Sequence, residues 1–180
     1  MTTFLFSAAM SLDGFIAGPG GDMSWLRDHL GAPDAPSSGD LTDEIGALLI
    51  GKRTFMGDDP NAGTESEGAY GGTWDGPSIV LTHNPPDTAE PGTTYATDLD
   101  TAIRLAREAA GDKAVSILGA NVAAQCLAAG VLDEILVFVT PVLLGDGVRL
   151  FDHPGGTNVR LERIDAGAGG PTALRYRVVR

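Results

Sequence analysis

The segment from Val115 to Gly147, VSILGANVAAQCLAAGVLDEILVFVTPVLLGDG, places a helical pattern between two apolar stretches of strand length. The first apolar stretch begins one residue before this segment, at Ala114, and ends at Leu118, and Gly119 follows it. Apolar residues then recur at helical spacing over 121–129, and Gly130 follows as a helix-ending residue. A connection of this length can join parallel strands through a helical crossover. The segment therefore predicts a strand, helix and strand within a parallel sheet.

The rest of the chain continues this alternation. Helical spacing recurs over 99–110, with Thr97 or Asp98 as a possible N-cap and Gly111 at the end, and a shorter helix is expected over 41–46. Residues 31–39 and 60–76 are rich in Gly, Pro, Ser and Asp, so we expect long loops that either border a site or are plain insertions. The apolar stretches predict a sheet of at least six strands, at residues 3–10, 47–50, 78–82, 114–118, 135–140 and 173–179.

Length and charge narrow the class of protein. The 180 residues suffice for one well-cored domain and not for two of ordinary size, so a single domain over 1–180 is expected. The formal net charge of −12 argues against nucleic-acid binding, which relies on clustered Lys and Arg. No apolar run reaches the length of a membrane span and no signal segment begins the sequence, so no membrane contact and a cytoplasmic location are expected.

Polar or cationic residues follow three of the predicted strands. Gly119 is followed by a helix, and LLIGKRTF places Lys52, Arg53 and Thr54 after Gly51. A third strand ends in SIVLTHNPP, with His83 at its end. Each feature alone has a plain alternative, either turn chemistry or a solvated basic turn. Together they predict a site for an anionic dinucleotide beyond the carboxyl edge of the sheet, where helix N–H groups can bind phosphate.

Four motifs carry a family resemblance, in the same order along nearly the whole chain. They are SAAMSLDGFIAGPGGDMSWL, LLIGKRTF, SIVLTHNPP and ILGANVAAQCLAAGVLDEILVFVTPVLLGDGVRLF. The chain resembles the dihydrofolate-reductase-like family that includes the reductase domain of riboflavin biosynthesis, found in bifunctional deaminase-reductases. The resemblance implies a three-layer α/β/α fold with a twisted, mainly parallel sheet, an NADPH site, a small-molecule substrate and a homodimer.

The resemblance also implies positions for the cofactor. Ala9 and Ile16 would line the nicotinamide pocket, Asp58 would lie close to the cofactor, and Thr82 and His83 would lie by the adenosine ribose. Two groups would hold the phosphates and the nicotinamide ribose, namely Gly51, Lys52, Arg53, Thr54 and Gly119, Ala120, Asn121, Val122.

The chain departs from the family pattern at several of these positions. It has Ala120 where a second glycine is common, Lys52 where Arg is common, and Ile117 where riboflavin reductases usually have an acidic residue. His83 replaces a cation that often marks NADP preference. Between residues 22 and 46 the only Lys or Arg is Arg27, which offers little to a phosphorylated substrate.

Candidates for substrate contact are few. By similarity to dihydrofolate reductases, a carboxylate before LLIGKRTF would bond the substrate; Asp40, Asp43 and Glu44 are near, and Asp43 is chosen, although all three suit a solvated helix start equally well. Asp13 either contacts substrate or forms a tight Asp-Gly turn, the reading we favour, and Trp25 either covers the site or packs in the core. No metal site is predicted, because His29 and His153 stand alone and Cys126 is expected to be a buried thiol.

The expected function is hydride transfer from NADPH to a C=N or C=O carbon of a small heterocyclic or imine-like substrate, as in the 5-amino-6-(5-phosphoribosylamino)uracil reductase of riboflavin biosynthesis. Two alternatives stay open. One is a non-catalytic, nucleotide-binding dimeric scaffold, which the altered cations and Ile117 would suit. The other is a reductase that uses a flavin or deazaflavin.

Overall fold

The computed structural model describes residues 2–30, 39–164 and 172–180. Within these ranges the chain alternates strands and helices, as predicted. The strands are β1 Phe4–Ser11, β2 Phe15–Ala17, β3 Ile45–Gly51, β4 Ser78–Leu81, β5 Thr93–Ala96, β6 Ala114–Leu118, β7 Glu134–Thr140, β8 Val148–Arg149, β9 Leu161–Ile164 and β10 Ala173–Val178. The helices are α1 Gly39–Glu44, α2 Lys52–Phe55, α3 Leu99–Ala110 and α4 Ala120–Ala128, and 3₁₀ turns cover Pro19–Gly21 and Ser24–His29.

Eight strands form one sheet in the order β5-β4-β3-β6-β1-β7-β10-β9. The neighbours from β5 to β7 are parallel, and β10 and β9 add two antiparallel pairs. The predicted mainly parallel sheet is confirmed, and so are its six predicted strands, to within one or two residues at each end. The two strands of this sheet that the sequence analysis missed, β5 and β9, lie at its two edges, and the short strands β2 and β8 outside it were missed as well.

One face of the sheet is covered by α3 and α4. Asp98 caps α3 by accepting a hydrogen bond from the Thr101 N–H at 2.8 Å, which selects it over Thr97. Burial of small and apolar side chains from both helices against β1, β3 and β6 forms the first core, in which Ile117 is fully buried. Dispersion and removal of apolar surface from water stabilise this layer.

The opposite face is covered mainly by irregular chain. The short helix α1 contributes Leu41, and Phe55, Tyr70 and Trp74 from residues 52–76 pack against the second core. The predicted helix over 41–46 lies instead over Gly39–Glu44, because Ile45 already belongs to β3. The predicted loop at 31–39 lies outside the described residues, apart from Gly39 at the start of α1.

Parts of the first and the last of the four motifs form one substructure. β2 and β8 pair as a two-stranded antiparallel sheet, with Phe15 opposite Arg149, and the Arg149 guanidinium lies 4.6 Å from the centre of the Phe15 ring. Gly147 packs so closely on Ala17 and Gly18 that a Cβ there would overlap their backbone. The segments SLDGFIA and LLGDGVRLF therefore hold each other in place at the carboxyl end of β1.

Ion pairs link three elements at the amino edge of the sheet. The Arg175 guanidinium bonds the Glu134 carboxylate at 2.8 Å and the Glu44 carboxylate at 3.1 Å, joining β10, β7 and α1. No helix in the described part of the chain is long and apolar enough to span a bilayer.

Candidate active site at the carboxyl edge

The neighbouring strands β3 and β6 send the chain away in opposite directions. β3 leads through α2 to β4 on one side, whereas β6 leads through α4 to β7 on the other. Parallel neighbours with diverging connections leave a crevice at their carboxyl ends, where open α/β sheets bind ligands. Gly51 ends β3 and Gly119 follows β6, so two of the predicted junctions flank this crevice.

These two junctions pack directly against each other. Gly119 has φ 106°, which glycine adopts without strain, and a Cβ on it would overlap Thr54 Oγ1. On the other side, a Cβ on Gly51 would lie 3.0 Å from Val122 Cγ2. Thr54 therefore fills the space along the Cβ direction of Gly119, and the expectation that a cofactor phosphate approaches the backbone there stays a prediction. Backbone conformation and this internal packing account for the glycine.

The first turn of α4 remains available for an anion. No side chain caps the helix, and the first helical amide bond runs from Ala123 N–H to Gly119 C=O at 3.1 Å. The N–H groups of residues 120–122 therefore have no partner within the helix. The Asn121 Oδ1 accepts a bond from Gln125 Nε2 at 2.8 Å, and Val122 is buried. This turn would therefore bind an anion through its backbone N–H groups rather than through side chains.

Lys52 and Arg53 lie on the turn that carries Thr54. Both side chains are exposed, and within the described residues neither takes part in an ion pair. The contact between Thr54 and Gly119 brings this basic turn beside the uncapped start of α4. Positive charge and free N–H groups together make a favourable environment for phosphate.

The third junction, at the end of β4, contains one buried residue with a structural role and one exposed residue. Thr82 is buried and its hydroxyl accepts a bond from the Asn84 N–H at 3.2 Å, so it shapes the turn. His83 is exposed at the crevice side of the sheet, one strand from Lys52. His83 is therefore the residue of this pair that a ligand could reach.

Ala9 and Ile16, expected at the nicotinamide, are both half-buried. Ala9 lies near the carboxyl end of β1 and, by strand alternation, on the same face as Ser7. Ile16 lies in the middle of β2 and packs against the first core. Both are close to the carboxyl edge of the sheet, and their place at the nicotinamide stays a prediction.

Two loops meet over the face that Ala9 shares. The Met23 N–H donates to Asp58 Oδ2 at 3.0 Å, and Arg27 Nε donates to the Pro60 carbonyl at 3.1 Å. Trp25 lies between these two anchors, half-buried, with an indole N–H that is inaccessible and has no acceptor in the described residues. Asp58 thus joins the two loops, and Trp25 sits in the segment that it anchors.

A group of three hydroxyls, missed by sequence reasoning, fixes the second loop to the sheet. The Tyr70 hydroxyl lies 2.5 Å from Ser116 Oγ and 3.1 Å from Ser7 Oγ, and the two serine oxygens lie 3.4 Å apart. Ser116 is fully buried, and burial raises the pKa of Tyr70 despite these bonds. An aromatic residue within a Gly-rich loop was the one available signal.

Asp13 serves a turn. Its carboxylate accepts bonds from the Ser11 hydroxyl at 2.6 Å, the Gly145 N–H at 2.7 Å and the Leu144 N–H at 3.1 Å. These bonds, the Ser11 bond first, lower its pKa to about 2. Such a group stays ionised near neutral pH and does not donate a catalytic proton, which agrees with the turn role favoured from the sequence.

Asp43 is not brought to the crevice. α1 ends at Glu44 and β3 begins at the next residue, so Asp43 stands at the amino edge of the sheet. The seven residues of β3 separate the two edges by about 20 Å at roughly 3.3 Å per residue. Glu44 pairs with Arg175 there, and the side chain of Asp40 is outside the described set. The expectation that Asp43 contacts substrate therefore lacks the required placement.

The last two candidate features are a metal site and the thiol of Cys126. The described residues contain no group of three or more His, Cys, Asp or Glu side chains that could hold a metal ion. Cys126 is fully buried, and burial raises the pKa of its thiol to about 12.

The family model described as the RibD C-terminal domain matches residues 2–173. Among solved structures, a Shewanella sp. PV-4 protein assigned to riboflavin biosynthesis is 21% identical with a TM-score of 0.70, over 99% of this chain and 100% of that one. The Thermotoga maritima diaminohydroxyphosphoribosylaminopyrimidine deaminase/5-amino-6-(5-phosphoribosylamino)uracil reductase is 18% identical with a TM-score of 0.66, and this chain spans 57% of it. The riboflavin biosynthesis reductase of Saccharomyces cerevisiae is 18% identical with a TM-score of 0.61, over 99% of this chain and 90% of that one. No curated protein matches in sequence. At these identities the solved structures show a shared fold.

Proposed function

The chain belongs to the RibD C-terminal domain family, and on that premise we propose that it is an NADPH-dependent reductase. When bound, NADPH would supply a hydride to a C=N or C=O carbon of a small heterocyclic or imine-like substrate. RibD C-terminal domains are reductase domains, which supports the class of reaction. The cofactor and the substrate class are the parts of the proposal that need testing.

The contact between Thr54 and Gly119 carries the proposal. It joins the basic turn of Lys52 and Arg53 to the uncapped start of α4 across the crevice. Backbone N–H groups, a helix dipole and two cations that form no ion pair with the described residues suit the pyrophosphate and 2′-phosphate of a dinucleotide. His83, Ala9 and Ile16 lie along the same edge, where the ribose and nicotinamide positions are expected.

The chain's own residues would mainly position the two reactants and exclude water. The loops joined by Asp58 and Met23 are expected to cover the substrate. Hydrogen bonds lower the pKa of Asp13, so that carboxylate is a poor proton donor. The proton is expected to come from solvent or from a carboxylate of these loops.

The test is titration of the protein with NADPH and NADH, following nicotinamide fluorescence and thermal stability. A ligand that binds only the folded state raises the melting temperature by mass action. We expect NADPH to bind more tightly than NADH, and Lys52→Ala to weaken NADPH about tenfold, as loss of about 1.4 kcal/mol would do. Lys113→Ala is the matched control, because Lys113 is equally exposed and precedes β6 at the amino edge.

Each alternative predicts a different result. Binding of NADPH without turnover of any C=N or C=O substrate would favour the scaffold. Binding of neither nucleotide at millimolar concentration, together with binding of a reduced flavin or deazaflavin, would replace the cofactor. Equal effects of Lys52→Ala and Lys113→Ala would remove the basic turn from the site.

The proposed partners are a small-molecule substrate and a second copy of the chain. The dimer rests on the family resemblance. Light scattering during size-exclusion chromatography distinguishes it from the 18.6 kDa monomer, since a dimer has twice that mass.

A further inference from the structure

From the charges on the loops of the crevice, we infer that the substrate is unphosphorylated. This inference rests on the proposed reductase function and concerns the substrate side of the same site. The substrate side means the face shared by Ser7 and Ala9, under the segments 19–30 and 58–76.

The position of these segments is fixed by contacts. Tyr70 holds the second segment above Ser7 at 3.1 Å, and Ala9 lies two residues nearer the carboxyl edge of β1. Met23 and Arg27 tie the first segment to Asp58 and Pro60. A reacting group beside Ala9 on this face is therefore enclosed by both segments.

Both segments are acidic. Residues 58–76 contain five carboxylates and no Lys or Arg, and residues 19–30 contain two carboxylates and Arg27. Backbone amides hold some of these charges in fixed positions: Asp59 accepts the Gly68 N–H at 2.6 Å and the Asn61 N–H at 2.7 Å. Fixed carboxylates repel a dianionic phosphate with little freedom to move away.

Arg27 does not offset this charge. Its Nε already donates to the Pro60 carbonyl, next to Asp58 and Asp59 in the chain. It also acts on Asp22, lowering the pKa of that carboxyl after the larger effect of the Ser24 hydrogen bonds. Its charge is thus shared among carboxylates of both segments.

The cofactor side has the opposite sign. Lys52 and Arg53 are exposed beside α4, without acidic partners in the described residues. The crevice therefore accepts phosphate on one side and disfavours it on the other. An uncharged imine or heterocycle fits this arrangement.

The reaction itself needs no phosphate. The imine carbon takes the hydride that the bound cofactor supplies, the C=N electron pair moves to nitrogen, and that nitrogen takes a proton from water. The C–N bond would become single, and both electrons would come with the hydride that a bound cofactor supplies. Charge alone would discriminate between a phosphorylated and an unphosphorylated substrate. Electrostatic steering changes association rates by about ten- to a thousandfold, which sets the size of the expected preference.

The test uses two substrates that differ by one phosphate: 5-amino-6-(5-phosphoribosylamino)uracil and its dephosphorylated ribosylamino form. With saturating NADPH at low ionic strength, we expect kcat/KM to favour the dephosphorylated form by about tenfold or more. The preference should shrink at high salt, which screens charge. Equal or better use of the phosphorylated compound at low salt would overturn the inference.

A charge variant sharpens the test. Asp28→Asn combined with Asp75→Asn neutralises one exposed carboxylate on each segment and should narrow the preference, whereas Asp112→Asn, at the amino edge, should leave it unchanged. An equal effect of both variants would count against the inference.

Failure of the proposed function is recognised separately. If NADPH does not bind, the reductase proposal fails, and thermal shifts with the two compounds alone decide the inference. A larger shift with the dephosphorylated form supports it. A larger shift with the phosphorylated form, or none with either, overturns it.

Discussion

Tyr70→Phe removes one oxygen from the group of three buried hydroxyls and tests how residues 60–76 are held on the sheet. Ser116 is 0% and Ser7 is 7% exposed, so neither hydroxyl can turn to water. Without the tyrosine oxygen, the serine hydroxyls keep only their mutual contact at 3.4 Å among the described residues, so a buried hydroxyl loses a hydrogen-bond partner. An unsatisfied buried polar group costs about 1–3 kcal/mol, so we expect the free energy of unfolding to fall by about 2 kcal/mol.

Urea unfolding followed by tryptophan fluorescence measures this change, because the transition midpoint moves in proportion to stability. Tyr95→Phe is the control. The Tyr95 ring keeps its edge contact with Phe55, at 6.1 Å between centroids, and its hydroxyl makes no hydrogen bond with the described residues. We expect a loss within about 0.5 kcal/mol there.

A double variant separates the hydrogen bond from other effects of the ring. Ser116→Ala removes the closest partner, so Tyr70→Phe should cost less in that background by about 1 kcal/mol. A loss for Tyr70→Phe equal to that of Tyr95→Phe, or additive effects of the two changes, would refute the reasoning.

The remaining predictions concern acid, base and thiol chemistry. Burial raises the pKa of Tyr70 above its usual value, so the unfolded state loses its proton first and stability should fall as pH rises above about 10; Tyr70→Phe should lessen that fall. The pKa of Asp13 is lowered from 3.8 to about 2, so its contribution to the free energy of unfolding is present above the unfolded pKa and is lost between about pH 4 and 2. Asp13→Asn should flatten the pH dependence of the urea midpoint over that range. An unchanged acid profile would contradict this. Cys126 should resist an aromatic disulfide reagent at pH 8 until urea unfolds the protein, and stoichiometric labelling of the native protein within minutes would show that the thiol is accessible.

The interior of the sheet could be predicted because its strands are apolar and end at polar or glycine residues. β6 was placed over Ala114–Leu118 to the residue, and α3 over Leu99–Ala110 likewise. A strand that is buried on both faces is apolar along its whole length. The edge strands lack that burial, so a search for apolar stretches missed them. β9, LERI, is mostly exposed, and β5, TTYA, buries only Ala96 fully.

The candidate site was less predictable, because a pattern along the chain does not show what packs across it. Asp43 was chosen among three carboxylates near a family position, yet α1 ends so close to β3 that Asp43 lies at the amino edge, away from the crevice. The sequence around Tyr70 does not reveal its hydrogen-bond partners, because Ser7 and Ser116 lie 63 and 46 residues away. Spatial neighbours of this kind follow from topology and not from local spacing.

Gly119 shows why a site must be tested at a residue that the fold does not need. Gly119→Val would force a β-branched residue to φ 106° and drive its Cβ into Thr54. Backbone strain of this kind costs about 1–3 kcal/mol before any overlap is counted, so we expect a clear loss in the urea midpoint. Weaker NADPH binding by that variant would then report damaged packing between the two junctions as readily as a lost phosphate contact. If Gly119→Val kept wild-type stability, Thr54 would not occupy the space along the Cβ direction, and weaker NADPH binding would then indicate a lost phosphate contact. Lys52 avoids this ambiguity, because its exposed side chain can be removed without disturbing either glycine.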